Sequence, residues 1–93
     1  MPYRVLEFRE TPNPNAKKLL VDPPTGPIGS AARSYFRPEQ AAGDVLAAGL
    51  FAVPGVVNVL IHPDWITIGK SPEANWDRVK AGVVKALSQA VPA

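Results

Sequence analysis

The chain has 93 residues, 46% hydrophobic and 19% charged, which is enough apolar material for one compact core in a single domain. Ten Lys and Arg against eight Asp and Glu leave a net charge of +2, too small to name a class of partner. With no cysteine and a single histidine, His62, the chain cannot supply a disulfide framework, a thiol nucleophile, a Cys-ligated metal or cluster site, or a His-rich metal site.

From the N-terminus, Tyr3, Val5 and Glu7 alternate with Arg4, Leu6 and Phe8, a period-two pattern rich in β formers that predicts a first strand. Thr11-Pro12-Asn13-Pro14-Asn15 stops it. The prolines fix φ and remove donors, and asparagine side chains bond nearby backbone, so a rigid loop is expected. Lys17 to Val21 predicts a second strand, which Asp22-Pro23-Pro24-Thr25-Gly26-Pro27 ends. After further loop, Ser34-Tyr35-Phe36 predicts a short third strand.

Pro38 suits the first turn of a helix and Glu39 its positive end. Ala41, Val45, Leu46, Ala48 and Phe51 continue the helical spacing until Pro54-Gly55, with Gly43 and Gly49 each costing about 1 kcal/mol relative to alanine. Val56 to Ile61 predicts a buried strand, His62-Pro63-Asp64-Trp65 a tight turn, and Ile66-Thr67-Ile68 its returning partner. Ser71-Pro72-Glu73 then opens a last helix with a capping serine, and Trp76, Val79, Val83, Leu87 and Ala90 form its apolar stripe to a stop near Val91-Pro92. The order is β-β-(β)-α-β-β-α, an α+β fold of two layers. Two helices on one face of a mainly antiparallel or mixed sheet would cover every apolar stripe.

Charge adds little. Residues 1–37 carry six basic groups against three acidic, the remainder four against five, and no run of like charge marks a nucleic-acid arm. Met1–Glu10 lacks a continuous apolar stretch, and Val45 to Ile61 is broken by Gly49, Pro54, Gly55 and Asn58, so neither a signal peptide nor a membrane span is expected. The expected compartment is the cytoplasm.

Catalytic patterns are wanting. His62 sits beside a proline at a hairpin tip, where a surface turn histidine explains it, and no serine lies in a nucleophile elbow. The carboxylates are scattered, and the glycines form no nucleotide-binding motif and no EF-hand spacing exists. Trp76 begins a helical stripe and is assigned to the core. Trp65 is balanced between core and contact residue, since tryptophan is enriched among interface hot spots. Likewise the Thr11 to Asn15 loop is either a stiff turn whose asparagines bond their own backbone, or a preorganised recognition loop with Lys17 and Lys18 alongside.

Several segments together carry a family resemblance: Thr11-Pro12-Asn13-Pro14-Asn15 with Lys18, then Leu46 and Leu50-Phe51, then Val53-Pro54-Gly55-Val56 leading to Asp64-Trp65-Ile66-Thr67-Ile68 and Lys70, and finally Trp76 with Lys80. In this order they resemble the N-terminal domain of the Nfu/NifU-type iron–sulfur cluster scaffold proteins, over residues 1–93 as a single domain. In that family the cluster is carried by a separate C-terminal domain with a Cys-x-x-Cys pair, so the resemblance implies a stand-alone domain lacking it. The departures are Arg37 where relatives tend to have a helix-capping serine, Gly49 within the first helix, and Trp65 where phenylalanine is usual.

The resemblance implies a non-catalytic protein-interaction module associated with iron–sulfur cluster assembly or delivery. Its partners would be assembly or client proteins, with no membrane and no nucleic acid, and it would hold no cofactor, metal or cysteine-ligated cluster. Candidate contact residues are Thr11, Asn13, Asn15, Lys18, Asp64 and Trp65. The alternative is a protein binding a small ligand or an oxygen-ligated metal near the same loop.

Overall fold

The computed structural model describes residues 3–22 and 31–89. Strands β1 (Arg4–Glu10) and β2 (Ala16–Asp22) flank the proline-rich loop. There follow β3 (Arg33–Tyr35), a 3₁₀ turn (Pro38–Ala41), helix α1 (Val45–Phe51), strands β4 (Val56–Ile61) and β5 (Trp65–Lys70), and helix α2 (Trp76–Gln89). One wholly antiparallel sheet results, in the order β1-β2-β5-β4-β3. Both α-helices pack on one of its faces, the expected two-layer α+β arrangement.

The central pairing sets which side is which. Opposed residues of antiparallel strands share a face. Leu19↔Ile66 and Lys17↔Ile68 therefore lie on the helix side, while Lys18↔Thr67 and Leu20↔Trp65 lie on the other. Leu19 and Ile66 are wholly buried with Leu50 and Leu87 from the two helices, whereas Lys18, Leu20, Trp65 and Thr67 are half-buried. Helix α2 buries Val79, Val83 and Leu87 at the four-residue spacing read from the sequence. No described helix is long and apolar enough to cross a membrane.

Three local expectations are corrected. The first helix does not run unbroken from Pro38: after one 3₁₀ turn the chain reopens as α1 with Asp44 as its N-cap, whose carboxylate accepts from Ala47 N–H at 3.2 Å. Asp44 also takes Arg33 Nε at 2.9 Å and Tyr35 hydroxyl at 2.9 Å, tying the edge strand to α1. Burial and that hydrogen bond raise the Tyr35 pKa. Helix α2 starts at Trp76 and not at the Ser71-Pro72-Glu73 signal, because Asn75 Oδ1 accepts from Asp77 N–H at 2.7 Å and supplies the cap. The third strand is shifted by one residue, leaving Phe36 outside it and 69% exposed.

The alternation in β1 also fails at one point. A bulge between Val5 and Glu7 brings Val5 and Phe8 to the same side, opposite Val21 and Leu19, and leaves Leu6 54% exposed. The Pro23 to Pro27 terminator and the Val91-Pro92 stop lie outside the described residues.

Two glycines make opposite predictions. Gly55 adopts φ +94°, and an added Cβ would meet Ala74 Cβ at 2.8 Å, so Gly55→Ala should destabilise by about 2 kcal/mol or more. Gly49 lies in α1 with nothing within 4 Å of an added Cβ, so Gly49→Ala should stabilise by about 0.5–1 kcal/mol. Urea midpoints of the two variants should move in opposite directions.

Candidate partner-binding surface

The Thr11 to Asn15 loop is closed by its own polar groups. Thr11 hydroxyl, with one proton, lies 2.9 Å from Asn13 carbonyl and 3.0 Å from Ala16 carbonyl, and accepts from Asn13 N–H at 3.2 Å. Asn13 Oδ1 accepts from Asn15 N–H at 2.9 Å, and Ala16 N–H returns to Asn13 carbonyl at 3.0 Å. These are the short-range turn bonds expected of Thr and Asn beside proline. Pro12, Asn13 and Pro14 face outward.

Two residues from the other end of the chain hold this loop in place. Trp76 Nε1 donates to Pro14 carbonyl at 3.0 Å, 62 residues away in sequence. Lys70 N–H donates to Asn15 carbonyl at 2.8 Å, and its ammonium reaches Asn15 Oδ1 at 3.1 Å and Ser71 carbonyl at 3.3 Å. Lys17, the inward residue at the start of β2, pairs with Glu10 across the same hairpin. Both lysines are only 8% exposed, and their ammoniums lie 5.3 Å (Lys17) and 5.6 Å (Lys70) from the Trp76 ring centroid. An ammonium shut away from water needs acceptors, and the aromatic face adds attraction.

On the other side of the sheet, Trp65 is gripped between neighbours. The His62 ring stacks on it with centroids 3.5 Å apart and planes 10° apart, and Lys18 ammonium lies 4.1 Å from its centroid. His62 N–H donates to Trp65 carbonyl at 2.9 Å, closing the hairpin, and Asp64 N–H donates to His62 Nδ1 at 3.1 Å. Leu20 is paired with Trp65, and Thr67 lies between Lys18 and Leu60. The result is a half-buried strip of mixed apolar and cationic character.

The six residues singled out from the sequence thus divide into two groups. Thr11, Asn13 and Asn15 sit at one end of the sheet, with their side-chain oxygens engaged in loop bonds. Lys18 and Trp65 meet on the open face, and Asp64 sits exposed at the hairpin tip beyond Trp65. Sequence reasoning placed Lys17 only alongside the loop, and missed its burial, the contacts of Lys70 and the anchoring role of Trp76. The period-two pattern of Lys17, Leu19 and Val21 did carry the inward placement of Lys17. It also took His62 for a plain turn residue. Among the described residues no three His, Asp or Glu side chains converge as a metal site.

Two predictions follow from this geometry. Trp76→Phe keeps an aromatic face but removes the indole donor, so it should cost about 1 kcal/mol and speed hydrogen exchange at Ala16, whose amide closes the loop. Exchange unchanged at Ala16 would mean the prolines and Lys70 hold the loop without the indole. The Glu10 carboxyl is held below its ordinary value of 4.5 by the Lys17 hydrogen bond, then by that ammonium's charge, and also by Lys80. Since the folded pKa is depressed, the stabilisation is complete above the unfolded value and fades as pH falls through the folded one. Glu10→Gln should flatten that acid limb of a pH–stability profile.

Comparison with known proteins places this arrangement. The profile of the Nfu/NifU scaffold protein N-terminal region matches residues 6–93. NifU-like protein 4 of Arabidopsis thaliana, a mitochondrial protein, is 30% identical over 82 residues, covering 88% of this chain and 28% of its own length. A mitochondrial iron–sulfur cluster scaffold homolog of Drosophila willistoni is 35% identical over 80 residues, covering 84% of this chain and 27% of its own. The chain therefore spans under a third of the length of these relatives. Among solved structures, a NifU-like protein of Saccharomyces cerevisiae superposes with a TM-score of 0.81 at 25% identity, over 95% of this chain and 77% of that one. A Staphylococcus aureus protein shares the fold with a TM-score of 0.75 at 23% identity, over 89% of this chain and 96% of its own. With a profile match across nearly its whole length, the chain belongs to the Nfu/NifU N-terminal scaffold family.

Proposed function

We propose that residues 1–93 form a single non-catalytic interaction domain that docks proteins of iron–sulfur cluster assembly or delivery, and that holds no cysteine-ligated cluster itself. The Trp65 strip carries this reading. A large aromatic stacks on the His62 ring and has the Lys18 ammonium 4.1 Å from its centroid, on the sheet face away from both helices. Fixing its ring before binding lowers the entropy lost on contact, and tryptophan is enriched among interface hot spots. Leu20, Leu60 and Thr67 supply the flat surround, and Asp64 its exposed rim.

The stiff loop plays a different part in this reading. Thr11, Asn13 and Asn15 have side-chain oxygens engaged with backbone or Lys70, so they hold the shape that Pro12 and Pro14 display. Recognition there is by contour. The proposed compartment is the cytoplasm; two relatives named above are mitochondrial proteins, and the same docking role fits either location.

The experiment is affinity capture from a lysate with the chain immobilised, followed by mass spectrometry and by titration of the proteins recovered. Wild type should retain cluster-assembly or cluster-containing proteins, and Trp65→Ala should weaken the interaction by about 2 kcal/mol, roughly thirtyfold in Kd. Recovery of no such protein, or equal retention by wild type and variant, would refute the assignment of this strip.

A further inference from the structure

The helix side of the sheet carries an imbalance that the docking strip does not use. Where the end of β1 meets the first turns of α2, three ammoniums gather. Lys17 and Lys70 lie over Trp76, and Lys80, one helical turn beyond Trp76, lies 5.2 Å from the Phe8 ring centroid. Among the described residues Glu10 is the only carboxylate ion-paired with any of them. Its side chain is 82% exposed while that of Lys17 is 10% exposed. The two partners are therefore unequal: the ammonium cannot turn to water, but the carboxylate can leave.

We propose that this seam binds a carboxylate-rich segment of another protein, and that Glu10 is an internal occupant which the segment displaces. Lys17 needs an acceptor at all times because it is nearly buried. Any carboxylate can serve, and Glu10, held at the surface, gives way at little cost. Lys80 lies near enough to depress the Glu10 pKa and is ion-paired with none of the described residues, so a second incoming carboxylate has a cation of its own. Among the described residues β1 is the edge of the sheet and no further strand roofs the seam, which opens outward.

An acidic protein segment fits better than a nucleic acid. Base stacking needs bare ring faces, and here the rings of Trp76 and Phe8 already have lysine ammoniums against them. The net charge of +2 is also too small to hold a long phosphate backbone. The proposal does not rest on the iron–sulfur reading. It stands on the cation excess alone and concerns the opposite side of the sheet.

The test is an NMR titration of the isotopically labelled chain with a hexaglutamate peptide, and in parallel with a single-stranded oligonucleotide, at about 30 mM and about 300 mM salt. Shifts should cluster at Glu10, Lys17, Lys80 and the Trp76 indole, and binding should weaken as salt rises. Lys80→Gln should weaken the peptide about threefold or more, whereas Glu10→Gln, which replaces the competing carboxylate with a weaker neutral acceptor, should tighten it by a similar factor. Both substitutions are at exposed or half-buried positions, so folding is retained. Unchanged or weaker binding by Glu10→Gln, shifts elsewhere on the surface, or tighter binding of the oligonucleotide than of the peptide would each overturn the proposal.

Discussion

The pairing of β2 with β5 in the middle of the sheet is the constraint on which the rest depends. Because side chains alternate with a period of two, this register decides at once what is core and what is surface. In the observed register Leu19, Ile66 and Ile68 face the helices, and Lys18, Leu20 and Trp65 face away. A slip of one residue would drive Lys18 beneath α2 and leave Leu19 outside. The register is secured at the loop end, where Lys70 N–H meets Asn15 carbonyl and Trp76 meets Pro14 carbonyl. In the neighbouring β4–β5 pairing the Asn58 side chain lies over Gly69 so closely that an added Cβ would force it to shift.

The loop is therefore less a separate feature than the clasp of this register. Proline supplies stiffness locally, but its position relative to the sheet is set by two residues more than fifty positions away. The Asn15 carbonyl and Oδ1 are both used by Lys70, which is why a loop with so many polar atoms leaves proline rings and little else to a partner.

Most of the architecture was legible in the sequence, since it rests on short-range signals. The Val56–Ile61 strand, the His62–Trp65 turn and the four-residue stripe of α2 follow from periodicity and turn chemistry. What was not legible involved choices between near-equal local signals. Ser71-Pro72-Glu73 reads as a helix start, but the chain makes only a turn there, with Ala74 N–H donating to Ser71 carbonyl at 3.0 Å, and the cap falls to Asn75. The break before α1 was hidden by helical spacing that ran across Gly43. Only the tertiary demand on Asp44, which must cap α1 while binding Arg33 and Tyr35, shows why the helix restarts there. For the site, residue types were easier to name than their grouping. Lys18 and Trp65 lie 47 positions apart in number and meet only through strand register.

The same register gives the two faces different chemistries. Lys17 and Lys18 are adjacent in sequence, yet one enters the cationic seam under Trp76 and the other rests on Trp65 across the sheet. Between them stands the sheet itself, whose paired backbone separates the two surfaces. Perturbations at Trp65 and at Lys80 should accordingly add with little coupling, as for sites that share no contacts. On the two proposed roles, a partner surface on one side and a charged segment on the other would each be engaged without distorting the neighbouring contact. For a chain with no thiolate, separating those two faces is the chemical resource the fold has to offer.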